Sequence, residues 1–389
     1  MSQSPRRLFI SVAEDSADRY GAELARAAQR RWPGVELVGF AGPRMQAAGV
    51  RPLADLTQHA AMLTGVFKLI GRGWNALSTA AKEWQANRPD AVVVMDSTAL
   101  HLPMAARARQ RGLPVVYYIS PQTWASRPGR NRKLAKYCDR VACILPFEEA
   151  WLRGAGVNAT FVGHPLAYAV AHQPPPTPLA PAASGAHRVA LLPGSRSGVI
   201  ARMLPLLFRV ARQMASQSAR PIDFRVSCSS PRREAAIREI VAKLAPASDV
   251  RLELVTENLS GLLEWCDLAL VTSGTATLEV ALHRRPMVVL YDVGSPLREL
   301  YPLGGRFIIR TAHLSLVNIL ADRRIVPEYM PVVRDIAGPT RDALDILRDD
   351  ARRASMLADI ESVCAQLRCE VNPAERVCDL IADTLRPSR

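Results

Sequence analysis

The chain has 389 residues, of which 49% are hydrophobic and 22% charged, and its formal net charge is +14. This length exceeds what one hydrophobic core usually serves, so we expect two domains, and the apolar content excludes a disordered chain. The positive charge predicts an acidic partner, such as a nucleic acid, an anionic lipid surface or a phosphorylated substrate, without choosing among them.

The cysteines and the apolar runs bear on the compartment. Seven cysteines are scattered without a CxxC pair, so the sequence indicates neither a disulfide framework nor a zinc site, and we expect reduced thiols in a cytosolic protein. The apolar run at 8–12 is too short for a signal peptide and meets acidic residues at once. No run of 18 apolar residues occurs, so no membrane-spanning segment is expected.

Apolar, β-branched runs alternate with helical patterns along the whole chain. In the first half, strands are predicted at 8–12, 35–40, 91–95, 115–119, 141–145 and 160–162. In the second half, strands are predicted at 188–192, 224–228, 251–255, 268–271, 287–291 and 307–309. Continuous apolar strands separated by helices are typical of parallel, doubly wound sheets, so two α/β domains are predicted.

A proline-rich stretch between the halves gives the predicted domain boundary. Because proline fixes φ and lacks a backbone donor, we expect residues 173–186 to be a linker. The Rossmann-like domains would then be 1–172 and 187–366, facing a cleft in which ligands bind at the carboxyl ends of both sheets. A last helix in 367–389 is expected to pack back on the first domain or on a partner.

Two strand-to-helix turns in the second half, at 191–196 and 271–276, contain small residues. A helix amino terminus carries unpaired N–H groups and partial positive charge, and small residues let an anion approach it. Two such turns predict a nucleotide diphosphate site, although ordinary turn and capping chemistry is the alternative. The residues expected to contact phosphate are Gly194, Ser195, Arg196, Ser273, Gly274, Thr275 and Ala276.

Two charged residues extend this predicted site. Arg196 adds a bidentate donor where a departing phosphate needs its charge stabilised, and the alternative is a surface arginine at a turn. Glu279 lies one turn into the second helix, near where a carboxylate could accept ribose hydroxyls. A solvated helix face is the alternative for Glu279.

Several blocks of sequence, found in one order along most of the chain, resemble the lipid-A-disaccharide synthase family. They are residues 41–45, 117–125, 145–148, 161–166, 192–196, 273–279 and 314–320. The resemblance implies a GT-B fold, in which two Rossmann-like doubly wound parallel-sheet domains face a cleft. The same architecture also serves epimerases, so the fold alone does not fix the reaction.

The resemblance implies an inverting transfer that uses no metal ion and no cofactor. A 2,3-diacylglucosamine unit would pass from UDP to the 6-hydroxyl of 2,3-diacylglucosamine 1-phosphate, giving the β-1,6-linked lipid A disaccharide 1-phosphate and UDP. This chemistry needs a base on the acceptor hydroxyl and stabilisation of the leaving UDP. The family also implies a peripheral position on the cytoplasmic face of the inner membrane of a Gram-negative bacterium, and it leaves a homodimer open.

The resemblance also assigns roles to individual residues. Asp96, which follows the strand at 91–95, corresponds to the family's essential aspartate, although a helix N-cap is its alternative role. Arg196 corresponds to the arginine required for activity, and Glu279 and Asn318 are expected to hold ribose or uracil. Glu14 joins the catalytic set, and the residues expected to contact the acceptor and donor sugars are Ser16, Asp18, Ser120, Gln122, Trp124 and His164. A locally satisfied histidine is the more common interpretation of His164.

The sequence departs from the family pattern at several positions. Ala13 and Ala17 replace loop glycines, and a Cβ there limits how closely the loop approaches a sugar. Val199 replaces a glutamate, and further departures occur at Lys68, Ser126, Tyr168 and Asp292. UDP binding is therefore better supported than the identity of the lipids. The alternative is a divergent homologue that acts on another lipid or UDP-sugar, as an epimerase or hydrolase, or that binds without turnover.

Two segments suggest contact with a membrane surface. The stretch 62–84 combines apolar residues with Lys68, Arg72 and Lys82, as an interfacial helix would, although a helix packed on the sheet fits the same pattern. A basic run at 127–140 would also attract anionic headgroups. It lacks an aromatic platform or recognition motif, so no nucleic acid is expected.

Two other nucleotide-binding classes fit the sequence poorly. Residues 71–76 match the dinucleotide pattern G-x-G-x-x-A, but they follow a helical pattern rather than a strand, which argues against a nicotinamide dehydrogenase. No Walker lysine follows a glycine loop, which argues against an NTPase.

Overall fold

A computed structural model describes residues 4–57, 66–244, 250–294 and 311–386. It divides the chain into two compact units. Unit 1 comprises Met1–Tyr168 together with Leu367–Arg389, and unit 2 comprises Ala169–Gln366. The last helical segment of the chain therefore belongs to the first unit.

Unit 1 is built on a seven-stranded sheet in the order β3-β2-β1-β4-β5-β6-β7, in which all neighbouring strands are parallel. The strands are β1 (Arg7–Ser11), β2 (Glu36–Phe40), β3 (Arg51–Ala54), β4 (Ala91–Met95), β5 (Val115–Tyr118), β6 (Arg140–Cys143) and β7 (Ala159–Phe161). The helices in this part of the chain are α1 (Asp15–Arg31), α2 (Pro43–Ala47), α3 (Val66–Ala86), α4 (Thr98–Gln110), α5 (Asn131–Tyr137), α6 (Pro146–Gly154) and α7 (Pro165–His172), the last of which crosses the boundary after Tyr168.

Hydrophobic side chains cover both faces of this sheet. Successive residues of a strand point to opposite faces, so Ile10 belongs to one cluster and Phe9 to the other. The cluster with Ile10 includes α1 and the carboxyl-terminal helix α15 (Pro373–Thr384), which pack against each other. Arg30 and Glu375 add an ion pair of 2.6 Å between these two helices.

Unit 2 repeats the plan with a six-stranded parallel sheet in the order β10-β9-β8-β11-β12-β13. Its strands are β8 (His187–Leu192), β9 (Ile222–Cys228), β10 (Leu252–Thr256), β11 (Leu268–Thr272), β12 (Met287–Leu290) and β13 (Glu328–Tyr329). The remaining helices are α8 (Ser197–Gln217), α9 (Pro231–Leu244), α10 (Leu259–Trp265), α11 (Thr275–Leu282), α12 (Leu316–Ala321), α13 (Ala337–Arg348) and α14 (Asp350–Leu367). The strand predicted at 307–309 lies outside the described residues.

The two sheets share a topological feature that locates sites. In each, the chain first builds strands on one side of a central strand, β1 or β8, and then crosses to its other side with β4 or β11. Ligands in open α/β sheets bind at the carboxyl ends of the strands next to such a switch point. In unit 1 this edge follows β1 and β4, and in unit 2 it follows β8 and β11.

In the described parts of the chain, no helix combines the length and apolar character needed to cross a bilayer.

Candidate functional site

Asp96 lies directly after β4, at the switch point of the unit 1 sheet. Its φ of 60° is in the left-handed region, which aspartate tolerates better than most residues. The backbone carbonyl of Asp96 accepts the Tyr117 hydroxyl from β5. This contact fixes the backbone that carries the carboxylate.

The Asp96 carboxylate is held by its neighbours. Its Oδ2 accepts the backbone N–H groups of Ala13 at 3.0 Å and Glu14 at 2.9 Å, both from the loop after β1. Its Oδ1 accepts the N–H of Ser97 and lies 3.3 Å from Nδ1 of His101. The Asp96 side chain keeps 12% of its surface exposed, so a preoriented carboxylate reaches the surface at this edge.

His101 and Ser11, which the sequence analysis did not select, complete this cluster. His101 is in the first turn of α4, Ser11 ends β1, and both are fully buried. His101 Nε2 is 2.8 Å from Ser11 Oγ. The two residues are 90 positions apart, so no local sequence pattern could have paired them.

The loop after β1 separates its predicted ligand residues into two groups. Glu14 is half-buried at the N-cap of α1 and Ser16 is exposed, so both are at the surface. Asp18 is fully buried and accepts the N–H groups of Arg44 at 2.9 Å and Met45 at 3.2 Å. Burial raises the pKa of the Asp18 carboxyl, which in this structure caps the start of α2.

The loop after β5 is fastened from within by Glu148. Ser120 Oγ and Trp124 Nε1 donate to the Glu148 carboxylate at 2.9 and 3.0 Å, and both side chains are buried. Glu148 also accepts the N–H of Leu145 at 3.1 Å, and its burial raises the pKa of its carboxyl. The structure thus uses Ser120 and Trp124 internally, and it leaves Gln122 exposed on the same loop.

His164 is buried and hydrogen-bonded to its own loop. It is 3% exposed, and its Nδ1 accepts the N–H of Leu166 at 3.2 Å. Burial lowers the pKa of His164 to about 4, so the ring is neutral at physiological pH. The predicted contact of His164 with a sugar stays a prediction.

The first predicted phosphate turn lies between β8 and α8. Gly194 has a φ of 95°, and a Cβ there would lie 3.1 Å from Cγ1 of Val199. Ser195 and Arg196 are exposed, and Arg196 is the N-cap residue of α8. Val199, a departure from the family pattern, therefore packs under the turn.

The second predicted phosphate turn lies between β11 and α11, next to the first because β8 and β11 pair. Gly274, with a φ of 148°, is the N-cap residue of α11, and Gly274 and Thr275 are exposed. Ser273 and Ala276 are half-buried, and the Ser273 N–H already donates to Leu290 O at 3.2 Å. Unit 2 thus brings two helix amino termini to one edge of its sheet, with half-buried Glu279 on α11.

Asn318 does not present its side chain at this edge. It is fully buried, and its Oδ1 accepts the N–H groups of Ile325 at 2.8 Å and Val326 at 3.0 Å, while its Nδ2 donates to Val326 O at 3.0 Å. In this structure the Asn318 side chain therefore holds backbone groups, and its predicted contact with ribose or uracil stays a prediction. Asp292, another departure, is also buried and accepts the Gly294 N–H at 2.7 Å.

Sequence comparisons match the chain to one family over almost its whole length. A family model described as lipid-A-disaccharide synthetase matches residues 8–377. A lipid-A-disaccharide synthase of Anaeromyxobacter sp. (strain K) is 37% identical over 380 residues, covering 94% of this chain and 95% of the relative. The Myxococcus xanthus protein of the same name is 34% identical and covers 99% of both chains.

Solved structures share the fold at low sequence identity. The calicheamicin glycosyltransferase CalG4 aligns with a TM-score of 0.61 at 16% identity, covering 98% of both chains. A putative UDP-N-acetylglucosamine 2-epimerase from Listeria monocytogenes aligns with a TM-score of 0.63 at 12% identity, covering 98% of this chain and 97% of that one. These likenesses support the GT-B fold and, at such identity, nothing about the reaction.

Proposed function

The chain belongs to the lipid-A-disaccharide synthase family, and from that membership we infer its reaction. It is a hexosyltransferase of lipid A biosynthesis that acts on a UDP-sugar and a phosphorylated glucosamine. The match over residues 8–377 is the observation that carries this conclusion, because it spans both units. We propose UDP-2,3-diacylglucosamine as the donor and 2,3-diacylglucosamine 1-phosphate as the acceptor.

Asp96 is proposed to be the general base. As the acceptor 6-hydroxyl attacks the anomeric carbon, its proton passes to the Asp96 carboxylate and later to water. The N–H groups of Ala13 and Glu14 hold Oδ2, so the carboxylate is oriented before a substrate arrives. Glu14 and Ser16, both at the surface of the same loop, are proposed to contact the sugars.

The two turns of unit 2 are proposed to bind the UDP diphosphate. When the glycosidic bond to UDP breaks, negative charge grows on the β-phosphate, and the Arg196 guanidinium with the N–H groups at the start of α8 and α11 stabilises it. Their exposure supports this role, since an anion can reach them directly. Glu279 is proposed to accept ribose hydroxyls, and Gln122 is the proposed sugar contact on the loop after β5.

We propose that unit 1 also carries a membrane-facing surface, on the cytoplasmic side of the inner membrane. Trp74 on α3 is 62% exposed, with the Arg107 guanidinium 5.1 Å from its ring centre, and α5 exposes Arg132, Lys133 and Lys136. Farther along α3, Trp84 is buried against the sheet. Residues 62–65 lie outside the described residues, as do the side chains of residues 66–70 and 72.

Vesicle sedimentation tests this surface. Binding to vesicles that contain anionic lipid should fall steeply as salt rises, because exposed charges are screened within about 10 Å at 0.1 M salt. Binding that ignores salt would oppose an electrostatic surface. The molar mass of the purified protein without vesicles, measured by light scattering, tests whether the chain forms a homodimer.

One assay tests the reaction itself. Purified protein incubated with both proposed substrates should yield the disaccharide 1-phosphate and UDP in equal amounts, measured by mass spectrometry. UDP without disaccharide would indicate a hydrolase. An isomerised donor would indicate an epimerase, and binding without any product would indicate a homologue that has lost turnover. A reaction without acceptor is the matched control for hydrolysis.

A further inference from the structure

The family assignment does not account for one buried group beside Asp96. His101 is fully buried, yet in the described part of the chain its Nδ1 makes no hydrogen bond of acceptable geometry. That nitrogen lies 3.3 Å from Oδ1 of Asp96. Since buried polar atoms are almost always paired, an unpaired one that faces a proposed catalytic carboxylate calls for an explanation.

The other ring nitrogen of His101 indicates how the proton is arranged. Nε2 lies 2.8 Å from Ser11 Oγ, and a hydroxyl can donate one hydrogen bond to a ring nitrogen. If Ser11 donates to Nε2, the ring proton is on Nδ1, where it points at the Asp96 carboxylate. If Nε2 carried the proton, an unprotonated Nδ1 would face that carboxylate, and two acceptors would repel.

We propose that His101 is a positioning residue for Asp96, and that Ser11 selects the imidazole tautomer that does this work. Resting on the proposed function, this inference assigns His101 Nδ1–H to Oδ1 of Asp96. The ring turns the carboxylate so that a lone pair meets the acceptor hydroxyl. Hydrogen bonds of catalytic groups are often misaligned before substrate binds, and this one aligns when the acceptor docks.

A structural role alone explains the burial less well. The first turn of α4 is already fixed by the His101 N–H, which donates to Ser97 O at 2.9 Å, so the turn does not need the ring nitrogens. An apolar side chain at position 101 would fill that space without leaving a nitrogen unpaired. The polar ring is useful there because of the two groups it joins, Ser11 and Asp96.

The first test separates positioning from packing by steady-state kinetics on the full chain. His101→Phe, which keeps a ring but no nitrogen, should lower kcat about 100-fold, because a misplaced catalytic group costs that much, while both KM values stay within about threefold. His101→Asn, which can donate near the position of Nδ1, should recover at least tenfold of that loss. Ser11→Ala should lower kcat about tenfold.

Unchanged UDP affinity and a normal unfolding midpoint should accompany these losses. Equal losses in kcat, UDP affinity and stability would show a merely structural residue and overturn the proposal. So would a His101→Phe variant that keeps a third or more of the wild-type kcat.

The second test needs no turnover, so it separates this inference from the proposed function. In protein with ¹⁵N-labelled histidine, long-range ¹H–¹⁵N spectra should show His101 as the Nδ1–H tautomer, and Ser11→Ala should shift it towards Nε2–H. Wild-type protein in the Nε2–H form would overturn the proposal. If the expected tautomer is found but no disaccharide forms, the proposed function fails while the Ser11–His101–Asp96 arrangement stands.

Discussion

The carboxyl-end edges of the two sheets are built in opposite ways. In unit 1, Asp96 is 12% exposed and held by backbone N–H groups from a neighbouring loop, beside a buried imidazole. In unit 2, Ser195, Arg196, Gly274 and Thr275 are exposed on two short turns. A base has to be aimed before its substrate arrives, whereas a diphosphate brings the acceptor oxygens and charge that complete an anion site.

Removing the proposed base should have the largest effect. Asp96→Asn keeps an oxygen for the Ala13 and Glu14 N–H groups but cannot take a proton, so we expect kcat to fall about 1000-fold. UDP affinity, measured by calorimetry, should change less than threefold, because the diphosphate is assigned to unit 2. A variant with a tenth or more of the wild-type kcat would show that another group is the base.

Asp90 provides a matched control at the other end of the same strand. Its Oδ2 accepts the backbone N–H groups of Arg6 at 2.7 Å and Arg7 at 2.9 Å, so it is anchored much as Asp96 is. Asp90→Asn should therefore disturb the protein similarly and leave kcat within about threefold. If both variants lost activity alike, the loss would reflect anchoring rather than base catalysis.

Arg196 tests the exposed edge of the unit 2 sheet, where the two proposed phosphate turns lie. Arg196→Ala should weaken UDP binding about 100-fold and lower kcat as well, because a guanidinium at a helix amino terminus stabilises the diphosphate in the ground state and more in the transition state. Arg196→Lys should recover only part of this, since lysine lacks the bidentate fork. Arg209→Ala, at an exposed arginine on the same helix α8, is the control and should bind UDP normally.

The sequence predicted the strands and turns that form these two edges only in part. Apolar runs and small residues after strands are local signals, so most strands and both turns could be found. The strands it missed, β3 and β13, have four and two residues, and β3 lies at the sheet edge with its charged and proline residues exposed. Short edge strands lack the buried apolar run that identifies an interior strand.

The site residues show a second limit of sequence reasoning. Asp18, Ser120, Trp124 and Asn318 belong to family motifs, yet their polar atoms hold backbone or a buried carboxylate. A motif records that a residue matters without saying whether it binds a ligand or supports a loop. His101 escaped notice for the opposite reason, because its partner Ser11 is remote in sequence.

Acid should lower the stability of the protein through the buried histidine His164 of unit 1. Burial lowers the pKa of His164 to about 4 from 6.5, so the folded state resists protonation that the unfolded state accepts. This contribution to the free energy of unfolding is present above pH 6.5 and is lost as pH falls towards 4. Between pH 7 and pH 5 the loss should be about 2 kcal/mol. His164→Asn, whose oxygen can accept the Leu166 N–H, should remove that dependence.

The measurement is the free energy of unfolding in urea, compared between His164→Asn and wild type at pH 7 and again at pH 5. Taking the difference matters, because the raised pKa values of Asp18 and Glu148 act in the opposite direction in both proteins. The variant should be less stable at pH 7 and close to wild type at pH 5. An equal deficit at both values would mean that His164 is not held neutral by the fold.

The smallest expected effect is on stability, and it concerns how tightly Val199 packs against the first phosphate turn of unit 2. Gly194→Ala puts a Cβ at a φ of 95° and 3.1 Å from Val199, whereas Gly274→Ala, at a φ of 148°, meets no atom within 4 Å. Gly194→Ala should lose about 1 kcal/mol to backbone strain and a few tenths more to the Val199 contact, whereas Gly274→Ala, whose φ of 148° and ψ of −161° suit only glycine, should lose about 1–3 kcal/mol to backbone strain alone. Adding Val199→Ala should recover only that extra part in a double-mutant cycle of thermal unfolding. A large coupling would instead show that Val199 prepacks the first turn, so that the two edges differ less than their exposure suggests.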